Sequence, residues 1–213
     1  MKLLGFNKVL CLSPHPDDVE LGMLGTILKY SNTHFDILCM TKGGAKGFDS
    51  TNNLNRLSEV KNAWGLSNTN NVSIILSDCD YFEDKNGTPG WVNWLENNFT
   101  LKKEYNCIFL PTCDDSMYEH KFVNSLGFPL VRVKPISLIE YKTVSTLNTW
   151  QPNMFIDISK KYKTKLKCLK EFKSQQNKSY FSEDVLNIFH TNFQYKKKGI
   201  NLVEQFKIID IIK

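Results

Sequence analysis

Five short runs of almost uninterrupted apolar residues punctuate the chain: Val9-Leu10-Cys11-Leu12, Phe35 to Met40, Val72 to Leu76, Cys107 to Pro111 and Pro135 to Tyr141. Runs of this length, bounded by polar turn residues, predict strands buried on both faces, as in a parallel sheet. Between them the apolar spacing lengthens to that of helices. Leu21, Leu24, Ile27 and Leu28 would form the inner face of a helix over 20–30, and a second helix is expected over 54–66. Trp91, Trp94, Leu95 and Phe99 predict a third over 91–99. Tyr162, Leu166, Leu169 and Phe172 predict another over 160–173, capped by Ser159. The stretch 78–89, with its Asn86-Gly87 turn signal, reads as a loop, and 150–159 as an extended segment. Strand, helix, strand is a βαβ unit with a right-handed crossover. The expected fold class is therefore α/β, a Rossmann-like and mainly parallel sheet flanked by helices.

The first strand runs into Ser13-Pro14-His15-Pro16-Asp17-Asp18-Val19-Glu20. One imidazole and two carboxylates on a turn stiffened by two prolines can converge on a point. His15 and Asp18 offer the nitrogen and oxygen ligands that suit zinc or another divalent ion. Asp17, between them, would be left to take a proton from the attacking water. The plainer reading makes His15 a polar turn residue and either aspartate a helix cap. With Leu21-Gly22 and Gly25-Thr26 behind it, the motif resembles the opening of the LmbE-like or PIG-L family of zinc-dependent de-N-acetylases. That resemblance implies His15 and Asp18 as metal ligands and Asp17 as the general base.

The fourth strand is followed by Thr112 to His120. Parallel strands deliver their C-terminal loops to one edge of a sheet, so the turn after Leu12 and the loop after Leu110 can meet there. His120 would then be the third ligand, at a site that keeps a coordination position open. The family closes this loop with Asp-x-His-x-Asp-His; Asp115 to His120 is similar, with Glu119 and His120 at its end. Met117 stands where the family carries a second imidazole. A thioether neither donates a proton nor polarises a carbonyl, so Asp114, Asp115, Tyr118, His190 or His34 would have to substitute.

The rest of the chain extends the resemblance. Thr41 and Gly43 follow the second strand as Thr-x-Gly, with Gly44 where an acidic residue is common. Arg56 and Glu59 form an Arg-x-x-Glu pair ahead of Ala63-Trp64-Gly65-Leu66. By itself such a pair is a helix-surface ion pair; the resemblance implies that Arg56 reaches the polar part of the substrate, and Asp115 is a second candidate substrate-binding residue. Pro152-Asn153, Ile156-Asp157-Ile158-Ser159, Ser174-Gln175 and Val203-Glu204-Gln205-Phe206 are similar to the family's downstream half.

With 213 residues the chain is expected to be one domain spanning 1–213. The net charge of +5 is the balance of 27 basic against 22 acidic residues, and of the basic ones only Arg56 and Arg132 are arginines, so no nucleic-acid partner is expected. No run approaches the roughly 20 apolar residues of a membrane span, and a leader cleaved after the first strand would remove the motif, so a cytoplasmic protein is expected. The six cysteines lack CxxC spacing and read as buried free thiols; no histidine partner can be assigned to Cys113 as a nucleophile. The glycine loop 41–47 with Lys42 is a weak phosphate cradle, and Lys196-Lys197-Lys198-Gly199 a solvated turn. A nucleotide-binding module is disfavoured, because adjacent carboxylates in the first βα turn repel phosphate. The expected reaction is zinc-dependent removal of an N-acetyl group from a sugar or glycoconjugate. A catalytically impaired binding protein, and an amidohydrolase acting on a nucleoside, a nucleotide-linked group or another acyl amide, are the alternatives. A homo-oligomer is compatible with all three.

Overall fold

The computed structural model describes residues 1–43, 51–192 and 201–212, with only the backbone described over 51–55. Seven strands form one sheet: β1 (Lys8–Ser13), β2 (His34–Cys39), β3 (Val72–Leu76), β4 (Cys107–Pro111), β5 (Ser137–Tyr141), β6 (Met154–Asp157) and β7 (Val203–Asp210). Their order is β3-β2-β1-β4-β5-β7-β6. The first five are parallel, and β7 runs antiparallel between β5 and β6. The helices are α1 (Asp18–Lys29), α2 (Thr51–Ser67), α3 (Gly87–Leu95), α4 (Tyr118–Ser125), α5 (Gly127–Val131), α6 (Tyr162–Leu169) and α7 (Glu183–His190).

Strand alternation sorts the core into two layers. Val9, Cys11, Phe35, Ile37, Phe109 and Tyr141 pack with Leu24, Ile27, Val60, Ala63 and Leu169 of α1, α2 and α6. Leu10, Leu12, Leu38, Ile108 and Leu138 pack with Trp91, Leu95, Val123 and Leu130 of α3, α4 and α5 and with Leu126 between the last two. Two-sided burial is why these strands read as continuous apolar runs. The order of strands reverses between β1 and β4, which pair directly, so α1 and α4 leave the same edge toward opposite faces. A crevice forms at such a switch point.

α1 is buried over nearly its whole length. Gly22 permits this, since a Cβ there would come within 2.7 Å of both the Lys142 carbonyl and the Tyr141 ring. The Tyr141 hydroxyl in turn donates to the Leu12 carbonyl at 2.8 Å.

Several local expectations are corrected. The stretch 78–89 is not all loop: it holds a 3-10 turn, Phe82–Lys85, and the start of α3, which begins at Gly87 and passes into a π turn, Glu96–Thr100. Trp91 Nε1 donates to the Phe82 carbonyl at 2.7 Å, tying the turn to the helix. Ser159 does not cap α6. Its hydroxyl donates to Asp157 at 2.6 Å and accepts from the Leu202 amide at 3.2 Å. Phe172 lies beyond the end of α6 but stays in the core. Cys113 is exposed while the other five thiols are buried and free. Most of the glycine loop and the basic run 196–199 lie outside the described residues. Among the described residues, no helix is long and apolar enough to cross a membrane.

Candidate metal centre and active site

The turn after β1 is held by its own side chains. The Ser13 hydroxyl donates to the His15 carbonyl at 2.6 Å. Asp18 Oδ2 accepts from the His15 amide at 2.9 Å and lies 3.2 Å from His15 Nδ1. Asp17 precedes α1 without capping it through its side chain, so that role does not explain the residue. Its backbone adopts φ 125°, ψ −23°, a region L-residues rarely enter and one that costs about 1–3 kcal/mol. Its carbonyl accepts from the Leu21 amide at 2.8 Å and its Oδ1 pairs with Arg56, which hold the residue in this conformation.

The loop after β4 meets this turn across the switch point. His120, in the first turn of α4, is fully buried, with Nε2 3.3 Å from Asp18 Oδ1 and Nδ1 3.0 Å from Asp115 Oδ2. Asp115 is itself fully buried behind His120 rather than lining the cavity. It accepts from the Thr143 hydroxyl, from the Ser145 hydroxyl at 2.6 Å and from the Met117 amide at 2.8 Å. This chain of hydrogen bonds fixes the imidazole's orientation. The sequence reading missed Thr143 and Ser145; their place just past the C-terminal end of β5 was the available signal.

One ligand atom each from His15, Asp18 and His120 lies within 4.8 Å of the others. His120 Nε2 is buried and has no hydrogen-bond partner. An orphaned imidazole nitrogen aimed at a carboxylate and a second imidazole fits a divalent cation. Two nitrogens and one oxygen suit zinc and leave coordination positions open.

The electrostatics follow from burial and proximity. Burial works against a charged His120, but Asp18 and Asp115 outweigh it and raise its pKa to about 10. Burial likewise opposes ionisation of Asp18, yet His120 and His15 hold its carboxyl well below the usual range. A cation bound at this cluster would compete with the proton that these carboxylates favour on His120. Asp17 is different: burial dominates, Arg56 only partly offsets it, and the carboxyl rises to about 6. Burial also pushes Glu20 up to about 7, although Trp64 Nε1 donates to it at 2.6 Å.

Arg56 and Glu59 are both buried, and each reaches a different partner. Arg56 Nη2 lies 2.9 Å from Asp17 Oδ1 and donates to the Pro16 carbonyl at 2.8 Å; Nη1 donates to the Gly43 carbonyl at 2.6 Å. Asp17 Oδ2 is left buried without a partner. Gly43 sits at φ 85°, and a Cβ there would come within 2.3 Å of Arg56. Glu59 accepts from the Ser174 amide at 2.8 Å and hydroxyl at 2.7 Å. The cavity is lined by His15, Asp17, Asp18, Arg56, Met117 and Glu119, together with Leu21, Gly43 and Val144 and with Lys178 and Tyr180. The last two also escaped the sequence reading, although they follow closely on Ser174-Gln175.

The substitutes considered for the absent imidazole are mostly elsewhere. His34 opens β2, at the far end of the parallel strands, and bonds Asp36 and Ser73. His190 is buried with Nδ1 on the Val203 carbonyl at 3.1 Å. Tyr118 is 70% exposed and its ring stacks on Phe122. Burial and Glu140 raise the Cys113 thiol, which argues against a nucleophile. Lys42 pairs with Asp80 at 2.8 Å.

A mainly parallel sheet with a His/Asp/His cluster at its switch point defines the class: an α/β protein built around a candidate metal centre. The chain belongs to the PIG-L family, whose model, described as GlcNAc-PI de-N-acetylase, matches residues 10–131. It is 26% identical over 209 residues to diacetylchitobiose deacetylase of Thermococcus kodakarensis, covering 86% of this chain and 73% of the relative. Its fold is similar to that of N,N'-diacetylchitobiose deacetylase from Pyrococcus horikoshii, with a TM-score of 0.74 and 22% identity over 97% of this chain and 85% of that one. The same fold carries another reaction in GalB, the 4-carboxy-2-hydroxymuconate hydratase of Pseudomonas putida, with a TM-score of 0.71 and 13% identity over 100% of this chain and 98% of that one.

Proposed function

We propose that this protein is a divalent-metal-dependent hydrolase that removes an N-acetyl group from a sugar or sugar conjugate, with His15, Asp18 and His120 as ligands and Asp17 as general base. The observation that carries the reading is the meeting of the two sequence-distant motifs, which leaves His120 Nε2, facing Asp18, and Asp17 Oδ2 at the cavity both buried without a hydrogen bond. Family membership and the curated relative's activity support the acetyl-sugar choice. When bound, a divalent ion supplies Lewis acidity, zinc being the choice that fits the ligand set best.

The chain's own groups account for the proton. Asp17, whose Oδ1 is fixed by Arg56, presents Oδ2 to take a proton from water as its oxygen adds to the acetyl carbon. The C–N bond then breaks, acetate leaves, and the same carboxyl returns the proton to the departing amine. Burial raises this carboxyl to about 6 in the metal-free protein, making it a stronger base than a free aspartate. This economy suits a cavity in which Met117 provides no acid.

Metal content of the purified protein, beside His120→Ala and Asp18→Ala, tests the centre, and acetate release from N-acetyl sugars tests the reaction. About one zinc per chain, absent from both variants, is expected. Wild-type protein that takes up no metal on reconstitution would refute the ligand assignment. Met117 in the cavity favours one second reading, a family member that binds its ligand without turnover. Acetate released by Met117→His but not by wild type would establish it.

A further inference from the structure

We propose that Lys178 selects substrates that carry an anionic group, a phosphate or a carboxylate, beside the acetylated amine; this rests on the deacetylase reading of the site.

The cavity lining contains two cations with opposite situations. Arg56 is buried, and both of its terminal nitrogens are committed to Asp17, Pro16 and Gly43. Lys178 is exposed at the same cavity, and among the described residues no carboxylate lies within 4.0 Å of its ammonium. Its contact there is with the Tyr180 ring, 5.7 Å from Nζ. An ammonium has three donors and no acceptor. The side chains of Leu21 and Val144 in the lining offer those donors no acceptor, and the Met117 thioether only a weak one.

The backbone beneath Lys178 is already ordered. Glu59, one helical turn from Arg56, holds both the amide and the hydroxyl of Ser174. The Lys178 amide donates to the Gln175 carbonyl at 3.0 Å, and its own carbonyl accepts from the Phe181 amide at 3.0 Å. Engaging a ligand therefore orders only a side chain, which limits the entropic cost. α2 thus fixes the base through Arg56 and the recognition segment through Glu59.

Charge decides what Lys178 meets. With a divalent ion present, Asp17, Asp18 and Glu119 are balanced by the ion and Arg56, and Lys178 leaves the cavity net positive. A charge-assisted hydrogen bond to an anion is about twice as strong as one to a neutral hydroxyl. Exposure at the cavity, rather than burial beside the ligands, assigns Lys178 to the periphery of the substrate and not to the scissile amide.

Binding tests this without turnover. The full chain carrying Asp17→Asn, loaded with zinc, is titrated with N-acetylglucosamine 1-phosphate, with N-acetylmuramic acid and with neutral methyl N-acetylglucosaminide. At least one anionic probe is expected to bind about tenfold more tightly than the neutral one, and which one does so separates phosphate from carboxylate. Adding Lys178→Met should lower that ratio severalfold while leaving the neutral probe unchanged, and Lys178→Arg should keep it. A ratio near one in the parent, no binding of either anion, or a ratio that Lys178→Met does not alter overturns the proposal. Acetate release by wild type is read separately. No acetate with the ratio intact refutes the deacetylase reading alone; acetate with no Lys178-dependent ratio refutes this inference alone.

Discussion

The Arg56 guanidinium lies 2.9 Å from the Asp17 carboxylate, both side chains are buried, and Arg56 spans from the first βα turn to Gly43 after the second strand. One side chain thereby ties two C-terminal strand loops together and aims the free oxygen of Asp17.

Removing that tie should be costly twice over. Arg56→Ala leaves a buried carboxylate uncompensated, which is expected to cost about 3–5 kcal/mol, read as a drop in urea midpoint at unchanged slope. Acetate release should fall by about 10² or more because the base loses its orientation. Gly43→Ala should mimic part of this, since its Cβ displaces Arg56. Wild-type activity in Arg56→Ala would show that Asp17 needs no such partner.

Metal binding should be visible as stability. Zinc added to metal-free protein is expected to raise Tm, by an amount equivalent to about 2.7 kcal/mol at a hundredfold excess over Kd. A chelator should reverse the shift, and His120→Ala and Asp18→Ala should abolish it. A shift that survives both substitutions would place the ion elsewhere.

The fully buried Lys165–Glu204 pair makes a distinct prediction. Lys165 Nζ donates to Glu204 Oε1 and to the Leu21 carbonyl, both at 2.6 Å, while Glu204 accepts from the Gly25 and Thr26 amides of α1. Lys165→Met alone should destabilise by about 3–5 kcal/mol, because it strands a buried carboxylate. Lys165→Met with Glu204→Leu should recover part of that loss in equilibrium unfolding. Additive losses would show that the two residues are not coupled.

Acid stability should depend on Asp36. Burial favours its neutral form, but Tyr105 and Lys103 prevail and lower its pKa. A carboxyl depressed in the folded state adds stability above its unfolded pKa and loses it as pH falls through the folded one. Wild-type stability should therefore decline with acid below about pH 4, and Asp36→Asn should flatten that decline. An identical pH profile in the variant would remove Asp36 from the balance.

Much of this was legible along the chain. Five apolar runs marked the five parallel strands, because four of them are buried on both faces and the edge strand β3 is half-buried throughout, and the helical spacing in α1 marked the crossover. Ser13 to Asp18 could be read as a site because its chemistry is local: the bonds from Asp18 to His15 span three residues. His120 was readable through topology, since parallel strands place successive loops on one edge.

Tertiary structure decided what those residues do. The Arg56 and Glu59 spacing suggests a mutual ion pair, yet they reach Asp17 and Ser174, the latter 115 residues away. Thr143 meets Asp115 across 28 residues, and Lys178 joins the cavity from beyond the last parallel strand. Sequence alone determined the five parallel strands, the α/β class and which side chains could bind a cation, because periodicity and local spacing encode backbone geometry and chemical type; β7, which closes the sheet between β5 and β6, was not read from it. It did not determine the partners of Arg56, the burial of Asp115 or the place of Lys178. Those depend on which distant segments share a layer, and burial and charge proximity exist only once the layers have packed.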